Sequence, residues 1–214
     1  MPTAKLKEKF LDAEWKAQLD LKFSKSNNRT ILSHRKHFGP LQVQKPFYPE
    51  INGTCHVYIL HPPGGVVGGD RLNIYVDVSS NAHALVTTPA AGKFYRSAGP
   101  VARQEQIIKI ASKGILEWFP SENIIFSGAK AKIQTKVKLA HDSHFVLRIV
   151  IGFFQKLPSQ LGIELIGSCV AFARPDNTRP DDVATACGVA TVEEFHHLSA
   201  VDRMYHRLPD FFLL

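Results

Sequence analysis

The sequence predicts a mainly β fold, and three observations support this prediction. Apolar and polar residues alternate along most of residues 15–140, which is the period of a strand with one buried face. The alternating segments are short, recur about every 8 to 12 residues, and end at turn-forming residues. No long segment with helical periodicity precedes residue 145. This pattern is typical of an all-β sandwich, barrel or solenoid.

Four strands are predicted in the first part of the chain. The segment WKAQLDLKF, which begins at Trp15, has apolar residues at every odd position. PLQVQKPFY alternates from Leu41 until Pro46, which cannot donate to a central ladder. CHVYILH places Cys55 and His61 on the same face, together with the two aliphatic residues between them, and LNIYVDV alternates in the same way.

Further strands are predicted in AHALVTT, QIIKIAS, ILEWF and KAKIQTKVKLA. The last of these has the most regular alternation. Its predicted inward residues are Ile133, Thr135, Val137 and Leu139, and its predicted outward residues are Lys132, Gln134, Lys136 and Lys138. A row of lysines on one strand indicates a solvated face or protection against edge-to-edge aggregation, with partner docking as the alternative.

The last third of the chain has a different pattern. A polar loop, RPDNTRPDD, precedes DDVATACGVATVEEFHHLSAVDRMYHRL, which favours a helix capped by Asp181 or Asp182 and interrupted at Gly188. The sequence therefore predicts a β body over residues 1–147 and an atypical, partly helical tail over residues 148–214.

The composition indicates a soluble globular protein of the cytoplasm. The chain has 214 residues, of which 44% are apolar and 21% charged, enough to bury a core. Its three cysteines lack CxxC spacing, which favours a reducing compartment. The N-terminal residues lack the apolar core of a signal peptide. The longest apolar run, residues 145–154, contains Arg148 and is too short to span a bilayer.

The positive charge is concentrated in the β body. Residues 1–147 contain 20 Lys and Arg against 11 Asp and Glu, and the remaining residues contain 6 against 8. A basic body attracts nucleic acid, an acidic membrane surface or an acidic protein. Because basic residues are neither interleaved with aromatics nor set on a recognition helix, an acidic protein fits the pattern at least as well as nucleic acid does.

The segment HPPGGVVGGD, from His61 to Asp70, raises the question of a phosphate-binding loop. Such a loop needs a lysine and a hydroxyl residue after its last glycine, but Gly69 is followed by Asp70 and Arg71. The dinucleotide-binding GxGxxG spacing is also absent. We therefore predict a structured turn between two strands.

Five residues are candidate metal ligands: Cys55, His61, Asp70, Glu117 and Glu122. No HxH, CxxC or HExxH pair sets two of them in a local geometry, so the pattern predicts loose contacts rather than a tight site. For each residue taken alone, a hydrogen-bonded or solvated side chain is a simpler explanation than a metal ligand. Six of the other histidines form loose pairs that we expect at the surface or in the tail helix: His34 with His37, His141 with His144, and His196 with His197.

Signatures of catalysis are scarce. The sequence contains no GxSxG elbow and no Ser, His and Asp spacing that indicates a triad. Glu117 and Glu122 are a possible acid–base pair, but no substrate pocket is indicated around them. The residues therefore leave catalysis open without indicating a reaction.

Several long segments resemble one known family. These are WKAQLDLKF, RKHFGPLQVQKPFYPE, CHVYILHPPGGVVGGDRLNIYV, ALVTTPAAGKFYRSAG and ILEWFPSENIIFSGAKAKIQTKVKL. In order and spacing they are similar to the UreD family of urease accessory proteins, also called UreH, over about residues 15–145.

The resemblance implies a stacked, solenoid-like β fold with few helices and a non-enzymatic role in urease maturation. Family members bind apo-urease and recruit UreF, which docks the GTPase UreG, and nickel passes on to the urease active site. The implied cofactor content is nickel in transit, with none tightly bound. The same resemblance makes Asp70, Glu117 and Glu122 the natural candidates for transient nickel contacts, and implies neither a nucleic-acid nor a membrane partner.

The resemblance ends near residue 146. Because charge sign and periodicity change at the same place, we expect a frameshift or rearrangement there, with a foreign and poorly folded tail. Two other functions remain open from the residues alone: a stand-alone metal-binding or small-ligand-binding β protein that uses Cys55, His61 and Asp70, and a nucleic-acid-binding module.

Overall fold

The structure, a computed structural model, describes residues 15–156, 161–173 and 190–191, and these ranges contain fourteen strands and no helix. The strands are β1 Lys16–Ser26, β2 Arg29–Phe38, β3 Gln42–Val43, β4 Cys55–Leu60, β5 Arg71–Val78, β6 His83–Thr87, β7 Gly92–Phe94, β8 Ala102–Ile110, β9 Ile115–Phe119, β10 Asn123–Phe126, β11 Ala131–Leu139, β12 His144–Lys156, β13 Leu161–Ala173 and β14 Ala190–Thr191. The predicted mainly β class is confirmed. Within the described ranges, no helix has the length and apolar character needed to cross a bilayer.

The predicted tail helix, residues 181–208, lies outside the described residues except at Ala190–Thr191, where the structure has a short strand instead. Strand β12 runs through the predicted boundary between residues 147 and 148 without interruption. The division into two domains stays a prediction.

The strands form two sheets that the chain visits in alternation. One sheet has the order β14-β11-β8-β5-β1-β2, and its four central strands β1, β5, β8 and β11 are parallel. The other has the order β3-β4-β6-β9-β12-β10-β7, with β13 paired to β12. From β4 to β12 each coil of the chain adds at least one parallel strand to each sheet. The architecture is therefore solenoid-like, one of the three that the alternation allowed and the one that the family resemblance implied.

The same turn recurs in three successive coils, where the chain leaves the first sheet. In each turn the fourth residue donates a backbone hydrogen bond to the first, at 2.8–3.1 Å. The third residue is in the left-handed region in all three, with φ of 57–59°. These turns cover residues 79–82, 111–114 and 140–143. Because the turns have the same length and conformation, successive strands keep the same register, and their side chains stack from coil to coil.

The core consists of such stacks of side chains from both sheets. In the first sheet one stack is Phe23, Val78, Ile110 and Leu139. In the second, two stacks are Cys55, Ala84, Leu116 and Phe145, and Val57, Val86, Trp118 and Leu147. Gln106, on β8, is a polar residue within another stack of the first sheet. Its side-chain oxygen Oε1 accepts a hydrogen bond from the Thr135 hydroxyl at 2.9 Å. The inward residues predicted within β1, β4 and β5 line one hydrophobic core, as do Val137 and Leu139 of β11. Ile133 packs against this core, whereas Thr135 is only partly buried.

Candidate functional site

The glycine-rich segment is the predicted turn between β4 and β5. The Asp70 carboxylate is buried, and its Oδ2 accepts a hydrogen bond from the Val67 amide at 2.9 Å. The Asp70 amide donates in return to the Val67 carbonyl at 3.1 Å. A Cβ atom on Gly68 would lie 2.1 Å from Ser97 Oγ, so glycine is needed for the close approach of the loop at residues 97–100. Asp70 therefore closes the turn.

Asp70 substitutions test this structural role. Asp70→Ala leaves the Val67 amide without its acceptor, and we expect the free energy of unfolding to fall by about 1–3 kcal/mol. Asp70→Asn keeps an acceptor oxygen while removing the charge, and we expect a smaller loss. Urea denaturation measures both variants. Equal losses would show that the charge, rather than the acceptor, stabilises the turn.

His61 lies beside this turn, at the residue after β4, and is half-buried. Burial lowers the pKa of its imidazole, and the Asp70 charge opposes part of that shift. His61 and Asp70 thus flank one turn, as the sequence predicts. Cys55 lies at the opposite end of β4.

Cys55 belongs to the hydrophobic core. Its side chain has 0% exposure and contacts Tyr48, and burial raises the pKa of its thiol. Metal ligation and nucleophilic attack both require the thiolate, which burial disfavours. The side chain therefore behaves as a small apolar group that fills the first stack of the second sheet.

We expect Cys55 in the native protein to resist alkylation. Iodoacetamide at pH 7.5 is expected to modify it at least about tenfold more slowly than in urea-unfolded protein, because the thiol is buried and protonated. Peptide mass spectrometry measures the modification at this residue. Equally rapid modification in both states would contradict a buried thiol.

The outer face of the second sheet contains a chain of hydrogen-bonded polar side chains. Glu117 Oε1 on β9 lies 2.7 Å from His83 Nε2 on β6, and these two side chains are 26% and 28% exposed. His83 Nδ1 lies 3.2 Å from Thr54 Oγ1, and that hydroxyl donates to Asn52 Oδ1 at 2.7 Å. The chain continues from Asn52 Nδ2 to Glu50 Oε2 at 3.0 Å and ends where His56 Nε2 meets Glu50 Oε1 at 2.8 Å.

The donors and acceptors of this chain determine where its protons lie. The Thr54 amide donates to Asn52 Oδ1 at 3.0 Å, which identifies that atom as an oxygen. Because the single Thr54 hydroxyl proton also points to Asn52, Thr54 Oγ1 accepts from His83 Nδ1. His83 therefore presents Nε2 to Glu117 Oε1. A divalent cation bound by those two atoms would replace the direct contact between them.

The other end of the chain carries an ionised carboxylate. A hydrogen bond from His56 is the main cause of the lowered pKa of Glu50, and a hydrogen bond from Asn52 lowers it further. Phe47 and Tyr58 stack at a centroid distance of 5.3 Å, and the Phe47 ring also contacts His56. Each end of the chain therefore pairs one histidine with one glutamate, and Thr54 and Asn52 link the two pairs.

Sequence reasoning found only Glu117 of this group. Glu122 follows β9 in the loop before β10, where its carbonyl accepts from the Gly92 amide at 2.9 Å. His83, His56 and Glu50 were missed, although alternation in AHALVTT places His83 on an outward face. The absent information was the strand register, which sets His83 opposite Ile115 and Leu85 opposite Glu117.

The surface position expected for His34, His37 and His141 is confirmed, whereas His144 is partly buried.

Within the described ranges, no group of three or more His, Cys, Asp or Glu side chains is arranged to hold a metal ion. The two His–Glu pairs of the polar chain therefore offer two ligands each. Two-ligand contacts hold a transition metal more loosely than the three or four ligands of resident metal sites.

Comparison with known proteins gives a consistent result. Residues 16–151 match the sequence model of the family described as UreD urease accessory protein. The chain is 52% identical over 137 residues to the urease accessory protein UreD of Escherichia coli, covering 64% of this chain and 49% of that protein. It is also 52% identical over 132 residues to the protein of the same name from Aliivibrio fischeri strain MJ11, covering 62% of this chain and 46% of that protein. The identity to the protein of the same name from Acinetobacter baumannii strain AYE is 46% over 132 residues, covering 62% of this chain and 45% of that protein. The chain spans about half the length of these relatives.

Proposed function

The chain belongs to the UreD family of urease accessory proteins, and from this premise we propose that it acts as a non-enzymatic scaffold for nickel insertion into apo-urease in the cytoplasm. In this role it works together with UreF and with the GTPase UreG. The observation that carries the proposal is the family match, which covers β1 to β11 and enters β12.

The polar side chains on the second sheet support a role in metal transfer. A carrier must release its ion, so it needs fewer ligands than a resident metal site. The pair of His83 Nε2 and Glu117 Oε1, 2.7 Å apart and about three-quarters buried, offers one nitrogen and one oxygen ligand. We propose this pair, ahead of Asp70, Cys55, His61 and Glu122, as a transient nickel contact.

The function is tested by complementation. Cells that express urease and its other accessory genes, but lack their own UreD-family gene, receive this chain. We expect urease activity and nickel in the purified urease to rise above those of cells with an empty vector, and UreF to co-purify with the chain. No rise in urease nickel would overturn the proposal. Nickel binding by the isolated chain without any urease activation would favour the stand-alone metal-binding function instead.

The proposed contact is tested by Glu117→Gln. This variant keeps a hydrogen-bonding side chain of the same length but removes the charge, and we expect urease nickel content to fall at least about fivefold because one anionic ligand is lost. Asp142→Asn is the matched control, since it alters a surface His–carboxylate pair, His141 with Asp142 at 2.9 Å. Metal analysis of purified urease is the measurement. An equal loss in the two variants would exclude a specific role for Glu117.

A further inference from the structure

The outer face of the first sheet is positively charged. On the four parallel strands β1, β5, β8 and β11, every second residue points away from the core, which gives sixteen outward positions in four rows. Eight of these positions are Lys or Arg and three are Asp or Glu. At strand spacings of about 4.8 Å and a rise of about 3.3 Å per residue, the four rows cover roughly 20 Å by 25 Å. We call this surface the basic face.

The two outermost rows carry most of the charge. One row is Lys22, Asp77, Lys109 and Lys138, all exposed, and the other is Lys16, Arg71, Arg103 and Lys132. Lys109 and Lys138 are direct neighbours on adjacent strands, where like charges destabilise a sheet. This repulsion between neighbouring cations is offset when a partner protein places carboxylates between them.

The two middle rows have a different composition. They contain amides, the ion pair of Lys136 with Glu105, and two apolar side chains side by side, Tyr75 and Ile107. Tyr75 is 36% exposed. A protein-binding hot spot usually has apolar or aromatic residues at its centre and a polar rim. The exposed tyrosine and its aliphatic neighbour, surrounded by charged residues, have this arrangement.

We propose that the basic face is a docking surface for an acidic surface of another protein. The charge of the two outer rows provides the complementarity, and the Tyr75–Ile107 centre provides apolar contact that a phosphate backbone would not use. Asp77, Asp20 and Glu105 interrupt the positive charge of this face. A protein can place basic or neutral side chains opposite these three carboxylates, whereas the uniform charge of a phosphate backbone cannot avoid them. This inference states what kind of surface the proposed scaffold binds, and in that respect it rests on the proposed function.

The test compares two triple charge reversals in the full chain. The face variant is Lys22→Glu, Lys109→Glu and Lys138→Glu. The matched control, Lys25→Glu, Lys45→Glu and Lys113→Glu, changes the net charge equally at exposed positions that are not on the basic face. Binding to purified urease apoprotein is measured by biolayer interferometry. We expect at least a tenfold loss of affinity in the face variant and less than a twofold loss in the control, and equal effects would overturn the inference.

A third variant, Tyr75→Ala, tests the apolar centre. We expect at least a fivefold loss of affinity for urease apoprotein with an unchanged dependence on salt, because no charge is removed. The face variant should in contrast lose most of its salt dependence. Thermal unfolding checks that the variants fold, and an unchanged affinity in Tyr75→Ala contradicts a hot spot at this residue.

Two further probes separate this inference from the proposed function. If the wild-type chain does not bind urease apoprotein, the scaffold proposal fails in that respect, and a 20-residue polyglutamate peptide then tests the basic face alone. Loss of peptide binding in the face variant but not in the control supports the inference, and equal binding overturns it. A 20-base-pair DNA duplex that binds more tightly than the peptide at the same salt concentration would also overturn it, in favour of nucleic acid.

Discussion

Phe23→Ala is expected to lower the free energy of unfolding by about 3–5 kcal/mol, which is a large share of the 5–15 kcal/mol typical of a domain. Phe23 has no exposed surface and stands at the β1 end of the stack formed with Val78, Ile110 and Leu139. The cost has two parts, the lost transfer of a benzyl group from water and the cavity left between stacked coils. Urea denaturation followed by circular dichroism measures the change.

Phe38→Ala is the matched control, because Phe38 lies at the end of β2 and is 67% exposed. We expect its effect to stay within about 0.5 kcal/mol, as for most surface substitutions. A loss of less than about 1 kcal/mol in Phe23→Ala would show that the coils do not pack against this ring.

Gly53→Ala is expected to destabilise the protein by about 3 kcal/mol and to disrupt the polar chain on the second sheet. Gly53 has φ of +75°, and a Cβ atom there would lie 2.7 Å from the Asn28 carbonyl oxygen and from Arg29 Cβ. Its own carbonyl accepts from the Thr30 amide at 2.9 Å. Relief of the clash would move the chain between Asn52 and Thr54, which links the two His–Glu pairs.

Gly64→Ala is the control for backbone strain alone. Gly64 has nearly the same φ, +74°, but a Cβ atom added there would meet no other atom within 4 Å. We expect a cost of about 1 kcal/mol there, from the left-handed conformation only. Urea denaturation measures both variants, and similar losses would show that close packing at Gly53 adds nothing to the strain.

The residue alternation was sufficient to predict most of the body. It identified β1, β5 and β11 and the inward residues of each, because a strand has only two faces and apolar side chains occupy the buried one. It did not identify β2, where the last six residues are all exposed and polar residues occupy both faces. A strand at the edge of the described sheet has one partner and little to bury, so its sequence carries no alternation. The strands β7 and β10 were too short to show a period.

The candidate site was less predictable than the fold. Cys55 and His61 were grouped because they share a strand face, yet Cys55 is in the core and His61 beside the turn that Asp70 closes. From the sequence, Glu117 was grouped with Glu122, which is a neighbour along the chain, as a possible acid–base pair and as a candidate nickel contact. Its hydrogen-bonding partner is instead His83, 34 residues away along the chain.

By itself, the sequence determined the strand class, the inward faces, the turn at residues 61–70 and the family, since these depend on local period, local turn chemistry and long contiguous motifs. Only the tertiary structure decided which outward side chains meet. The period of a strand assigns a residue to a face, but the length of each coil and its repeated turn decide its neighbour on the next strand. Both the His83–Glu117 pair and the rows of the basic face arise from that stacking in register.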